Sequence, residues 1–220
     1  MNYKIVKEFF LKQKFNLIFF EQVVTSGTSF IATILIINLI GLNSFGIFSI
    51  YWLLYLLINS LQNSLIISPM MTNIVFYKEN EKMFFIGSVF LQQIIFLLFF
   101  IISIKIIFIV PFIDVEFINK DYISCFVLLI LSSQIYQFFR RYFFSQKMYF
   151  YSLFASIFVG LVLIGSLFYY YYSNQIGIKE IFYCYIFSFS ITVLFCLISL
   201  RNFKFSIIIF LSSIKENFKI

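Results

Sequence analysis

The sequence predicts an all-α integral membrane protein. Of its 220 residues 62% are hydrophobic and only 11% charged, whereas a water-soluble domain carries about 25% charged residues. This chain lacks the polar side chains needed to cover a surface in water. Apolar runs of membrane-crossing length also recur along it, separated by short charged or turn-forming breaks.

At the start, KIVKEFFLKQK sets Ile5, Val6, Phe9 and Phe10 against Lys4, Lys7, Lys12 and Lys14 at helical spacing. Residues 1–15 are therefore expected to form an amphipathic helix lying on the membrane surface. A transmembrane lobe is expected over 16–200, with six spans at about 16–39, 44–76, 84–109, 122–143, 149–172 and 180–200. The breaks read GLNS (41–44), KENEK (78–82), PFIDVEFINKD (111–121), SQK (145–147) and SNQIGIK (173–179). In the tail 201–220, FSIIIFLSSI (205–214) is too short to span and is expected at the cytoplasmic interface.

The second segment, 33 residues from 44 to 76, would reach about 50 Å as a helix, too long for one upright span and too short for two. Pro69 lacks a backbone donor and can bend it, so one long, bent helix is expected, with its end protruding into the cytoplasm. Basic residues test this choice. With both termini cytoplasmic, only Lys105, Lys120 and Lys179 of the 16 lysines and arginines fall outside, leaving 13 inside. Splitting the second segment would give 7 inside against 9 outside. The positive-inside bias therefore favours six spans with both termini cytoplasmic. The run YYYY (169–172) then lies at the outer interface, where tyrosine belts are enriched.

Little in the chain suggests catalysis. It has no histidine, no glycine-rich phosphate loop and no metal-ligand spacing. Cys125, Cys184 and Cys196 lie singly in apolar runs and read as small buried hydrophobes. No enzyme activity, metal or cofactor is expected.

The polar residues inside the spans are more informative, because an ionisable group at the membrane centre costs about 2.5–3.5 kcal/mol on insertion scales. Glu21 is the only carboxylate well inside a span, followed along one helix face by Thr25, Thr28 and Ala32. Gln22 stands beside it. Amides follow on three more helices: Asn59, Gln62 and Asn63; Gln92 and Gln93; Gln134 and Gln137, the last two aligned with Arg141. Lipid cannot satisfy such groups, so they converge in a bundle interior, either bonding to one another or lining a hydrated path. Arg140 and Arg141 close the fourth span near the depth of Glu21. They can anchor the topology or grip a phosphate, with Glu21 holding the guanidinium when the site is empty.

Two stretches carry a resemblance. FEQVVTSGTSFIATILIINLIGLNSFGIFSIYWLLYLLINSLQNSLIISPMM (20–71) contains the acid–amide pair Glu21–Gln22, then Ser/Thr residues and Phe30, Ile40–Gly41, Phe45–Gly46 and Ser68–Pro69–Met70. QIYQFFRRYFFSQKMYFYSLFASI (134–157) carries Arg140–Arg141. Together they resemble the first two helices and the fourth-to-fifth junction of the polysaccharide (O-antigen) flippase family, within the multidrug/oligosaccharidyl-lipid/polysaccharide exporter superfamily. That resemblance implies translocation of an undecaprenyl-diphosphate-linked oligosaccharide between leaflets of a bacterial inner membrane. It also implies two six-helix lobes around a central cavity, of which this chain resembles one. The path residues carried over are Glu21, Arg140 and Arg141, with Gln22, Asn59, Gln62, Asn63, Gln134 and Gln137 as lining. Where the family often has an acidic residue early in its fifth helix, this chain has Ala155.

The partners implied are the lipid-linked oligosaccharide, membrane lipid, and either a second copy or a separately encoded second lobe, with no nucleic acid. The alternatives are a non-transporting membrane partner or truncated lobe in a polysaccharide assembly system, and another exporter of the superfamily.

Overall fold

A computed structural model of the chain describes residues 3–109, 120–173 and 176–198, and every regular element among them is helical. Helix α1 spans Tyr3–Gln62, and a wide π turn over Asn63–Ile67 joins it to the short α2 (Ser68–Asn73). The remaining helices are α3 (Glu79–Ile109), α4 (Lys120–Ser145), α5 (Tyr149–Ser173) and α6 (Ile178–Ile198). Five helical runs are long and apolar enough to cross a membrane: Phe15–Phe76, Glu81–Ile104, Tyr122–Ser145, Tyr149–Ser173 and Ile178–Leu197. The backbone of residues 3–14 continues into the first run without a break. The expected tail at 201–220 and most of the 111–121 connection lie outside the described residues.

The segments expected at 16–39 and 44–76 are joined with no loop between them, because a single residue makes the reversal. Gly41 has φ 72° and ψ 167°, while its neighbours remain helical. That combination is open essentially only to glycine.

Side-chain pairs give the directions of the two arms, 3–40 and 42–62. Glu21 lies beside Ser156 and Thr28 beside Gly160, so the first arm runs with α5. Helices α4 and α5 run oppositely, pairing Tyr136 with Ser156 and Phe143 with Tyr151. The second arm runs with α4, pairing Tyr51 with Phe126 and Gln62 with Gln134. The two arms of α1 are therefore antiparallel.

Where a bend was expected at Pro69, the structure has a π turn just upstream of it. Proline lacks an N–H and its ring crowds the carbonyl one turn earlier, and the π turn just upstream widens the helix to accommodate this. The chain continues through α2, tightens into a 3₁₀ turn at Ile74–Phe76 and turns extended at Tyr77.

Between α4 and α5 the SQK break closes in two backbone bonds, Met148 N–H to the Phe143 carbonyl and Lys147 N–H to the Phe144 carbonyl. This is a Schellman closure with Lys147 at the left-handed position, φ 60°.

Lipid tails are as apolar as leucine, so these helices associate through close packing and polar contacts rather than through expulsion of water. Aromatic rings supply much of the packing. Tyr51 sits edge-on to Phe126 and Phe182, with centroids 5.3 and 5.6 Å away, in the geometry that strengthens aromatic pairs by about 0.5–1.5 kcal/mol each. Small residues bring α1 and α5 together: a Cβ added at Gly160 would lie 2.6 Å from Thr28 Oγ1.

The two left-handed positions predict opposite responses to substitution. Gly41→Ala is expected to destabilise the protein by about 1–3 kcal/mol, although nothing lies within 4 Å of the added methyl. Lys147→Gly relieves strain and is expected to stabilise it by up to about 1 kcal/mol. Thermal unfolding in detergent measures both, and a shift of the same sign in the two variants would contradict the backbone argument.

Candidate functional site

A cavity of ≈ 700 Å³ opens between the two arms of α1 and is backed by α4, α5 and α6. The first arm presents Gln22, Ser26, Ser29 and Thr33 to it, residues that fall on one helical face at i, i+4, i+7 and i+11. The second arm presents Trp52, Tyr55 and Asn59, again a single face, and Asn63 follows at the start of the π turn. Helix α4 contributes Gln137, Arg140 and Arg141, α5 contributes Ser156, and α6 contributes Tyr185 and Phe189.

The charge in this wall is one-sided. Arg140 and Arg141 are the charged residues among those described as lining it. Glu21 stands behind the wall, 4% exposed. Its Oε1 accepts a hydrogen bond from Ser156 Oγ at 3.0 Å and lies 3.4 Å from Arg140 Nη1. The Ser156 hydroxyl also meets the Tyr136 hydroxyl at 3.3 Å. One carboxylate thus sits beside two guanidinium groups and is already engaged with one of them.

The Nε atoms of both arginines are buried without a hydrogen-bond partner. Arg141 also lies 5.8 Å from the centroid of the Phe144 ring, within cation–π range. Guanidinium groups so placed form a seat for an anion, because they offer planar, forked donors with little competing negative charge.

The structure divides the nine residues singled out from sequence. Gln22, Asn59, Asn63, Gln137, Arg140 and Arg141 line the cavity, with Glu21 directly behind. Gln62 and Gln134 do not line it. They form a separate, fully buried amide cluster with Gln93 on α3. There Gln62 Nε2 donates to Gln93 Oε1 at 2.8 Å and to the Gln134 backbone carbonyl at 2.9 Å.

The division has a geometric cause. Residues at i, i+3 and i+4 occupy an arc of about 100° on a helix, wide enough for Asn63 to face the cavity while Gln62 faces α3 and α4. Some of these amides are thus buried in a cluster and others line the cavity.

Several residues of the site were not picked out from sequence. Ser156 completes the surroundings of Glu21, one position after Ala155. Its signal was the spacing Ser152–Ser156–Gly160, a small-residue stripe that permits close helix approach. Trp52, Tyr55, Tyr136 and Tyr185 are aromatic, and in a chain with 35 phenylalanines and 15 tyrosines nothing local distinguishes a cavity ring from a core ring. Among the described residues no group of three or more His, Cys, Asp or Glu could hold a metal ion.

Removing the Glu21 carboxylate should leave Arg140 largely buried without a counter-charge. Glu21→Ala is expected to destabilise the protein by about 3 kcal/mol or more, and Ser156→Ala by about 1 kcal/mol. Thermal unfolding of each variant in detergent tests the ranking. Equal, small effects would mean that the ion pair contributes little to holding α1 on α4 and α5.

Comparison with known proteins finds no family model, no curated protein and no solved structure that matches this chain, so its function has to be read from the chemistry of this cavity.

Proposed function

We propose that the chain is one six-span lobe of a flippase that moves an undecaprenyl-diphosphate-linked oligosaccharide from the inner to the outer leaflet of a bacterial cytoplasmic membrane. The observation that carries this reading is a polar cavity inside an apolar bundle, with Arg140 and Arg141 as its charged wall. A glycan needs a wet, hydrogen-bonding route past the hydrocarbon, and a diphosphate needs cationic donors. The polyprenyl tail needs neither and stays in lipid.

In this reading the reversal at Gly41 makes the first helical run into two spans, giving six in all with both termini cytoplasmic. The arginines then lie towards the cytoplasmic side, where the loaded lipid is presented. No bond is made or broken and no cofactor is required. The cavity opens between the arms of α1, and a second lobe facing it, from another copy or a separate chain, would complete the enclosure. Such pairing about an axis along the membrane normal keeps both halves in the same orientation.

The test is transport into the lumen-facing leaflet of proteoliposomes, followed with a fluorescently labelled lipid-linked oligosaccharide. The wild-type chain is expected to accelerate flipping. The Arg141→Ala variant, which leaves the Glu21–Arg140 pair intact, should lower the rate by about tenfold or more, some 1.4 kcal/mol, at unchanged protein level and oligomeric state. A wild-type rate no faster than protein-free vesicles, from protein that still assembles with a membrane partner, would favour a non-transporting assembly subunit instead. Equal transport of a lipid lacking the sugar diphosphate would favour another class of exporter.

A further inference from the structure

We infer that the cavity contains a second subsite, beyond the arginines, for an uncharged saccharide, with Trp52 as its platform. This inference rests on the flippase reading and names the part of the substrate that the inner half of the cavity receives.

Donors and acceptors are distributed unevenly along the cavity. At one end are Arg140 and Arg141, which can only donate. Trp52 on the second arm and Asn63 at the start of the π turn mark the extremes of this side of the lining, and the 11 positions that separate them correspond to about 16 Å of helix. Away from the arginines the lining carries no formal charge. There Thr33 spends its hydroxyl hydrogen on the Ser29 carbonyl at 2.8 Å, which leaves its oxygen able only to accept. Such a surface suits a ligand rich in hydroxyl donors and disfavours a second anion.

The facing wall is aromatic. Trp52 packs on Tyr55 and Tyr185 with centroids 4.7 and 4.9 Å away, and Phe189 extends the wall towards Tyr136 at 5.2 Å. Trp52 is only partly buried, whereas Tyr55, Tyr136 and Tyr185 are buried behind it. A pyranose has an apolar C–H face and a hydroxyl edge. Stacked on Trp52, it would direct its hydroxyl edge at Thr33 on the first arm. A cationic ligand could also use an aromatic wall, but the arginines in the same cavity oppose it. The substrate accordingly lies with its diphosphate on Arg140 and Arg141 and its first sugars pointing inward along the second arm.

Trp52 is the chain's single tryptophan, so its fluorescence reports on this subsite directly. The full chain in lipid nanodiscs is titrated with a short-chain polyprenyl diphosphate carrying a neutral disaccharide, with the same lipid bearing a uronic-acid disaccharide, and with the sugar-free diphosphate. The neutral compound is expected to shift Trp52 emission and to bind about tenfold tighter than the sugar-free one, a difference of about 1.4 kcal/mol. The acidic compound should show little of that gain.

Calorimetry on Trp52→Leu should show the sugar-dependent gain lost while sugar-free diphosphate binds as before. Thr33→Val serves as a second variant, since Trp52 also packs against its neighbours. Sugar-free and neutral compounds binding equally, with no change at Trp52, would overturn the saccharide subsite and leave the anion seat standing. An acidic disaccharide that gained as much as the neutral one would overturn the subsite too. If no diphosphate binds and Arg140→Ala changes nothing, the flippase reading itself fails and the subsite with it.

Discussion

A carboxylate among apolar helices has to find a partner within the protein, and much of this structure follows from how Glu21 does so. Its partners come from two other helices, Ser156 on α5 and Arg140 on α4. Satisfying one side chain therefore fixes the height and rotation of three elements together. The first arm of α1 can then lie close on α5 because Gly160 leaves room for Thr28. With the arm held there, Gln22, Ser26, Ser29 and Thr33 fall along one wall of a cavity instead of against packed side chains. Ion pairs of this kind add little net stability compared with a well-packed apolar alternative, and their removal is costly mainly because one charge is stranded. The contribution of this pair is to specify one arrangement of α1, α4 and α5.

The polar groups of the bundle are handled in two ways. Gln62, Gln93 and Gln134 are buried together, and the Gln62 amide donates to the Gln93 side chain on α3 and to the Gln134 backbone carbonyl on α4, tying the second arm to both just before the π turn that leads to Pro69. That cluster is closed off from the cavity. Asn59, Asn63 and Gln137 instead face open space alongside the two arginines. In hydrocarbon the first arrangement gives specific helix contact, and the second leaves hydrogen-bonding capacity for something that is not protein. What separates the two sets is access to open space, since Gln62, Gln93 and Gln134 are fully buried whereas Asn59, Asn63 and Gln137 line the cavity.

Much of the fold was legible in the sequence because it depends on local quantities. Apolar run length pointed to helices long enough to cross a membrane, and Pro69 marked the place where the helix departs from regular α geometry. At Gly41 the sequence indicated a break over residues 41–44. The structure makes the reversal at one glycine while Leu42 to Ser44 remain helical, because a single residue in a glycine-only conformation is enough to turn the backbone. Seven of the nine residues singled out for the site do gather at the cavity, since buried charge and amide are conspicuous in a chain this apolar. Gln62 and Gln134 went elsewhere, and Ser156, Tyr136 and Trp52 came in without having been marked.

Sequence alone therefore determined that this protein is a set of membrane-length helices and which polar side chains must be sheltered from lipid. These follow from chain length, hydropathy and the cost of an unsatisfied polar group, none of which needs a neighbour to be known. Only the tertiary structure decided which sheltered groups meet each other and which remain open. That choice depends on how far each helix is rotated about its own axis, and a side chain one position along points about 100° away. The rotation is set by contacts between helices distant in sequence, of which the bond from Ser156 to Glu21 is the clearest.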